Sequence, residues 1–171
     1  MPVLLHKLKL CQSSAEMRND MSITEDIATL KKEKNAVILA HYYVDEDVQN
    51  IADYVGDSFY LSKIATKTNA DIIVFCGVEF MGESAKILNP SKRVFMPDAS
   101  ADCPMAHMAS KEEIIRVKKE YDDVAVVCYI NSTAELKTFS DVCVTSSNAV
   151  KIVKNLPNKN IYFIPDKNLG S

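Results

Sequence analysis

The sequence predicts an α/β fold made of duplicated three-layer αβα units, each with a parallel sheet. Three observations lead there. Apolar runs of strand length alternate with helix-forming stretches from about residue 21 to the end. Those runs are nearly continuous in apolar residues, as in strands buried on both faces. The chain also repeats itself. Sliding it by 88 residues without a gap pairs residues 22–82 with 110–170, and 11 of the 61 pairs are identical, roughly three times chance for average usage. Asp53/Asp141, Ser58/Ser146 and Phe75/Phe163 are among them. A repeat this long is a duplicated α/β unit, not a run of small modules.

The elements follow in order. Residues 1–20 show no clear periodicity and read as an N-terminal arm. The first unit spans 21–98. Ser22 three residues before Glu25 is a capping box, opening a helix to about Glu33. Val37–Tyr43 is a buried strand, Asp45–Tyr54 a helix with Val48, Ile51 and Ala52 on one side, and Val55 a short strand or turn. Asp57-Ser58 caps a helix to about Thr68. Asp71–Cys76 is a strand, Phe80–Leu88 a helix stopped by Asn89-Pro90, and Arg93–Met96 a strand. Residues 99–109 form a linker. The second unit, 110–171, repeats the order: capping box Ser110/Glu113 with a helix to Glu120, strand Val124–Ile130, helix Thr133–Phe139, strand Val142–Val144, helix Ser146–Asn155, strand Asn160–Ile164. It stops where the first unit enters its last helix and strand, so it reads as truncated.

Composition narrows the function classes. With 171 residues, 47% hydrophobic and 25% charged, the chain can bury a core. A net charge of −3 leaves no basic footprint for nucleic acid. No apolar stretch reaches the roughly 18–20 residues of a membrane span, and the opening residues carry too much charge for a secretory signal. A cytoplasmic protein is expected. Cys11, Cys76, Cys103, Cys128 and Cys143 are odd in number and contain no Cys-x-x-Cys pair, which argues against a disulfide framework or a zinc knuckle.

Ligands of parallel sheets bind beyond the carboxyl ends of the strands. His41-Tyr42-Tyr43 follows the first strand, and Tyr129-Ile130-Asn131 stands at the same place in the second unit. Fifteen residues after Tyr43 and Asn131 come Ser58 and Ser146. Each serine either only caps its helix or joins a site for a carboxylate or phosphate at the helix N-terminus. The repetition favours two anion sites facing one centre. His41 is either a satisfied strand-end histidine or a catalytic group. Cys76, Cys128 and Cys143 lie in apolar strands and read as buried, inert thiols. Cys103, in the polar stretch Asp98–Met108, is open between metal ligand, nucleophile and bystander.

Together, Ala40-His-Tyr-Tyr43, Ala52-Asp-Tyr-Val-Gly-Asp-Ser58, Phe75-Cys-Gly-Val-Glu-Phe-Met-Gly-Glu83, Asp102-Cys-Pro-Met-Ala106, Tyr129-Ile-Asn-Ser-Thr-Ala-Glu135, Val144-Thr-Ser-Ser-Asn-Ala149 and Pro165-Asp-Lys-Asn-Leu169 resemble the quinolinate synthase family of de novo NAD synthesis. The resemblance runs from about residue 22 to 171. It implies three similar α/β domains around a pseudo-threefold axis, the third absent here, and a [4Fe-4S] cluster whose open iron acts as a Lewis acid. The implied reaction condenses iminoaspartate with dihydroxyacetone phosphate to quinolinate. Carried over, Cys103 is the first cluster ligand. His41, Ser58, Tyr129, Asn131 and Ser146 contact substrate, and Tyr43 takes part in proton transfer; His41, Tyr43, Tyr129 and Asn131 form the catalytic set. The other two cluster cysteines are expected beyond residue 171, so the chain reads as a gene fragment or a natural truncation, and self-association is possible. An L-aspartate oxidase or dehydrogenase supplying iminoaspartate is the implied partner. A non-catalytic small-molecule or anion-binding α/β protein, or an assembly half, is the rival class.

Overall fold

The structure is a computed structural model that describes residues 23–170. The N-terminal arm, Cys11 and the capping residue Ser22 lie outside the described residues. Helix α1 covers 23–33 and ends where expected. Then follow β1 (Ala36–His41), α2 (Glu46–Ile51), β2 (Tyr54–Gly56), α3 (Ser58–Lys67), β3 (Ile72–Cys76), α4 (Glu79–Leu88) and β4 (Arg93–Phe95). A 3-10 turn at Pro104–His107 leads to α5 (Lys111–Glu120), β5 (Val124–Tyr129), α6 (Ala134–Thr138), β6 (Val142–Val144), α7 (Ala149–Val153) and β7 (Asn160–Ile164).

Both sheets are wholly parallel, in the orders β2-β1-β3-β4 and β6-β5-β7. The duplication is visible pair by pair. Leu39 faces Tyr54 and Val127 faces Val142; Ala36 faces Ile72 and Val124 faces Asn160. Every registered pair of the second sheet lies 88 residues after its counterpart in the first. This is the predicted α/β architecture with helices alternating between strands.

Strand alternation explains the continuous apolar runs. In β5, Val126 and Cys128 pack beneath α5 and α6 with Ile114 and Leu136, while Val127 faces the other way, toward Ala149 and Ile152 of α7. In the first unit Leu39, Ile73 and Phe75 pack against Leu61, Ala65 and Phe80 of α3 and α4. The units meet where α4 packs on α6. The Ala134 N–H donates to the Glu83 carboxylate at 2.7 Å, and the Lys137 ammonium donates to Ser84 Oγ at 2.8 Å.

Four expectations shift. β1 stops at His41 and α2 at Ile51, because Tyr42 and Tyr43 turn away from the sheet and Tyr54 joins β2. α7 begins at Ala149, not Ser146. Asn148 Oδ1 accepts the Thr145 N–H at 2.7 Å, and the Ala149 N–H donates to the Thr145 carbonyl, so the chain spends one turn on this local closure first. Cys143 is exposed and Cys76 half-buried; only Cys128 of the three strand cysteines is fully buried. β6 is an edge strand and leaves Cys143 toward solvent.

Candidate active site

The carboxyl ends of β1 and β5 open onto one cavity of about 760 Å³, between the two units. His41, Tyr43, Ser58, Cys103, Tyr129, Asn131 and Ser146, the residues singled out from the sequence, all line it. The register repeat is the cause: His41 and Tyr129 are equivalent strand ends, each paired with the last residue of the neighbouring short strand.

His41 is buried, with 6% of its surface exposed. Its Nδ1 accepts the Tyr43 N–H at 3.2 Å, so the neutral ring carries its proton on Nε2. Burial pulls the imidazole below its ordinary pKa, against the Asp57 carboxylate, which pulls it up. Tyr42 stacks on His41 with ring centroids 4.5 Å apart, and Tyr43 meets both rings at 4.7 and 4.6 Å. Tyr43 is 82% exposed. The three rings form one rim, with a hydrogen bond between the Tyr42 and Tyr43 side chains raising the Tyr42 phenol.

On the opposite wall, burial raises the Tyr129 phenol, the Asp166 carboxylate adds to this, and a hydrogen bond with Ser146 opposes it. Tyr129 is therefore a protonated donor at neutral pH. Asn131 follows in the loop that the Ile130 N–H ties to the Val144 carbonyl at 2.8 Å, as Tyr42 is tied to Gly56. Neither serine is a helix cap. Asp57 caps α3, its carboxylate accepting the Tyr60 N–H at 2.7 Å, and Ser58 is the first helical residue. Ser146 sits in the turn before α7. The expected pair of equivalent helix N-termini is thus not formed: one already holds a carboxylate and the other helix starts later.

Cys103 heads the 3-10 turn, with Pro104 at its first position. Asp102 fixes this segment: its Oδ1 accepts the Cys103 N–H at 2.7 Å and its Oδ2 lies 2.8 Å from His107 Nε2. The Glu79 N–H donates to the Ala101 carbonyl, anchoring the segment to α4. Cys103 packs on the core of the first unit and presents one thiol to the cavity. Among the described residues no group of three His, Cys, Asp or Glu could hold a metal ion. Among the described residues Cys103 is the one cysteine that lines the cavity.

Sequence reasoning missed Asp57, the one Asp or Glu among the described residues that lines the cavity, and Tyr42, which stacks on His41. Asp57 was read only as a cap; its place one residue before Ser58, beyond a short strand, was the available signal. It also missed Gly77, where a Cβ would meet Met81 Sδ at 3.1 Å and His41 Cβ at 3.5 Å. A side chain there would need the Met81 and Phe75 side chains to give by a few tenths of an ångström.

A duplicated parallel αβα scaffold here turns the ends of two sheets onto one cavity, the place where small-molecule ligands of parallel sheets bind. The family model described as Quinolinate synthetase A protein matches residues 25–171, and the chain belongs to this family. It is 63% identical over 145 residues to a quinolinate synthase of Fusobacterium nucleatum, covering 85% of this chain and 49% of that protein. The quinolinate synthase of Clostridium perfringens is 58% identical over 151 residues, 88% of this chain and 50% of its own. That of Caldicellulosiruptor saccharolyticus is 56% identical over 149 residues, 87% and 49%. The chain thus spans about half the length of these relatives. Among the described residues no helix is long and apolar enough to cross a membrane.

Proposed function

We propose that the chain forms two walls of the active site of a quinolinate synthase. The whole enzyme would condense iminoaspartate with dihydroxyacetone phosphate, losing phosphate and two waters, to give quinolinate for NAD biosynthesis. One observation carries this reading: His41, Tyr43, Ser58, Cys103, Tyr129, Asn131 and Ser146 converge on one cavity in a chain of this family. An L-aspartate oxidase or dehydrogenase is the proposed source of iminoaspartate.

Among the described residues neither lysine nor arginine lines the cavity. Carboxylates and phosphate would be held by neutral donors: the Tyr129 phenol, the Asn131 amide, the Ser58 and Ser146 hydroxyls and His41 Nε2–H. A neutral His41 suits this, because a fixed N–H can polarise a carbonyl without a charge to desolvate. Tyr43, at the rim and joined to Tyr42, can pass a proton between substrate and solvent. Cys103 is assigned as one thiolate ligand of a [4Fe-4S] cluster, which when bound would supply a Lewis-acidic iron; its other ligands are expected outside this chain.

The test is binding of quinolinate to the 171-residue protein, followed by nuclear magnetic resonance. Shifts should concentrate at Tyr129, Asn131 and Ser146, and should vanish in Tyr129→Phe and Asn131→Ala proteins of unchanged melting temperature. Binding that survives both substitutions overturns the assignment of this wall.

A further inference from the structure

Strands β5 and β6 carry a pair of reactive groups that do not line the cavity. Cys128 and Cys143 are register partners in the parallel ladder, so their side chains leave the same face of the sheet side by side. Neighbouring strands lie about 4.7–4.9 Å apart, within the roughly 4.4–6.8 Å between Cα atoms that a disulfide spans. Both thiols are free, and the Cys128 thiol donates to the Tyr129 carbonyl at 3.5 Å. Cys128 is fully buried beneath α5 and α6, whereas Cys143 is exposed and borders a shallow cleft of about 260 Å³ beside Phe59 and Ser62 of α3.

The first unit shows what this place in the sheet requires. There the register partners are Ala40 and Val55. Two plain apolar side chains satisfy the packing, so sulfur is not a demand of the fold. The surroundings have diverged in the same direction. Ser132 and Ser140, whose hydroxyls donate to the Tyr129 and Leu136 carbonyls, lie beside Cys128, and the Lys137 ammonium lies near both sulfurs. Their counterparts 88 residues earlier are Val44, Ala52 and Gln49. These five positions carry apolar or neutral side chains in the first unit and two thiols, two hydroxyls and an ammonium in the second; the ammonium favours a thiolate. The hydrogen bond from Cys143 holds the Cys128 thiol below its ordinary pKa, against burial and with help from Ser132, Ser140 and Lys137; the Cys143 thiol is raised correspondingly.

We propose that Cys128 and Cys143 form a reversible disulfide, making the edge of the second sheet a site that responds to thiol–disulfide poise. The chemistry needs a low-molecular-weight disulfide, RSSR, as oxidant. The proton shared by the pair passes to Cys128, and the exposed Cys143 thiolate attacks RSSR. A Cys143–S–S–R bond forms and the first RS⁻ leaves. Cys128 loses its proton and attacks Cys143 Sγ, expelling the second RS⁻. The two cysteines lose two electrons and two protons, and RSSR leaves as two RSH. The bond would tie β6 to β5 between Tyr129, which follows Cys128 directly, and Ser146, three residues after Cys143.

The experiment treats the native 171-residue protein with oxidised glutathione, blocks remaining thiols by alkylation in acid, and reads intact mass and linked peptides. The expected result is loss of two hydrogen atoms, a peptide linked through Cys128 and Cys143, and full reversal by dithiothreitol. Cys143→Val and Cys128→Ala place the residue of the first unit at each position and should fold. Cys128→Ala should accumulate a stable glutathione adduct on Cys143, and Cys143→Val should give neither link nor adduct there. A wild-type protein that accumulates the adduct on Cys143 without the link overturns the proposal. So does one in which both thiols stay alkylatable while Cys103 reacts.

Discussion

Asp53 and Asp141, 88 residues apart, make the same two hydrogen bonds at the same lengths. The Asp53 carboxylate accepts the Ile38 N–H at 2.8 Å while its own N–H donates to the Ile38 carbonyl at 2.9 Å. Asp141 does the same to Val126, at 2.8 and 2.9 Å. Each carboxylate also meets a lysine of the preceding long helix, Lys31 at 2.7 Å and Lys118 at 3.2 Å. The gapless repeat aligns Lys31 with Lys119, so the carboxylate has kept its place while the lysine partner has moved by one residue. Both aspartates close the crossover that brings a strand end to the cavity. Asp53→Ala and Asp141→Ala should each lower stability by about 1–2 kcal/mol, because a strand N–H loses its partner. The two losses should add in the double variant, measured by urea unfolding.

The Asp141 carboxylate should tie stability to pH in acid. Burial would raise the Asp141 carboxyl, but the Val126 N–H and Lys118 hold it below the ordinary carboxylate range. As pH falls, the unfolded chain takes up this proton first, near the unperturbed value of about 3.9. The stabilisation is therefore present above that value and fades as pH falls through the folded one. The stability gap between wild type and Asp141→Asn should be flat from about pH 7 to 5 and should shrink below it. A gap that widens in acid would reverse the sign assigned to Asp141.

His41 acts in the same sense at higher pH. Burial lowers its folded pKa below the unfolded value, about 6.5. Above that value the ring is neutral in both states and contributes no pH dependence. Below it the unfolded chain gains the proton first, so folding weakens as pH falls toward the folded value. His41→Gln should flatten stability between about pH 6.5 and 5. The ring resonance should titrate with a midpoint below that of a free histidine.

Glu83 joins the units by capping α6 from α4. Glu83→Ala should cost about 1 kcal/mol and increase amide exchange at Ala134 without loosening β1 or β5. Equal exchange in both sheets would mean that the contact supports the whole fold and not the junction.

Periodicity and capping chemistry made the fold legible because both are local. Asp57 and Ser110 cap the helices that their spacing foretold. The 88-residue repeat carried the register as well, since equivalent strand ends must meet equivalent neighbours. What escaped was set by tertiary contact or by competing turn chemistry. Asn148 won the closure that Ser146 was expected to make. Tyr42 matters through its stacking on His41, which no periodicity records. The Cys128–Cys143 pairing depends on a crossover between strands, and sequence alone read both as inert core.

Joining the chain to the remaining half of the Fusobacterium nucleatum relative, with anaerobic iron and sulfide reconstitution, tests the central claim most directly. The joined protein should hold four irons and form quinolinate, and Cys103→Ala should hold almost none and form no product. Tyr129→Phe should keep its iron and lose turnover by about 10²-fold. Full iron content with quinolinate formation in the Cys103→Ala protein would contradict the account.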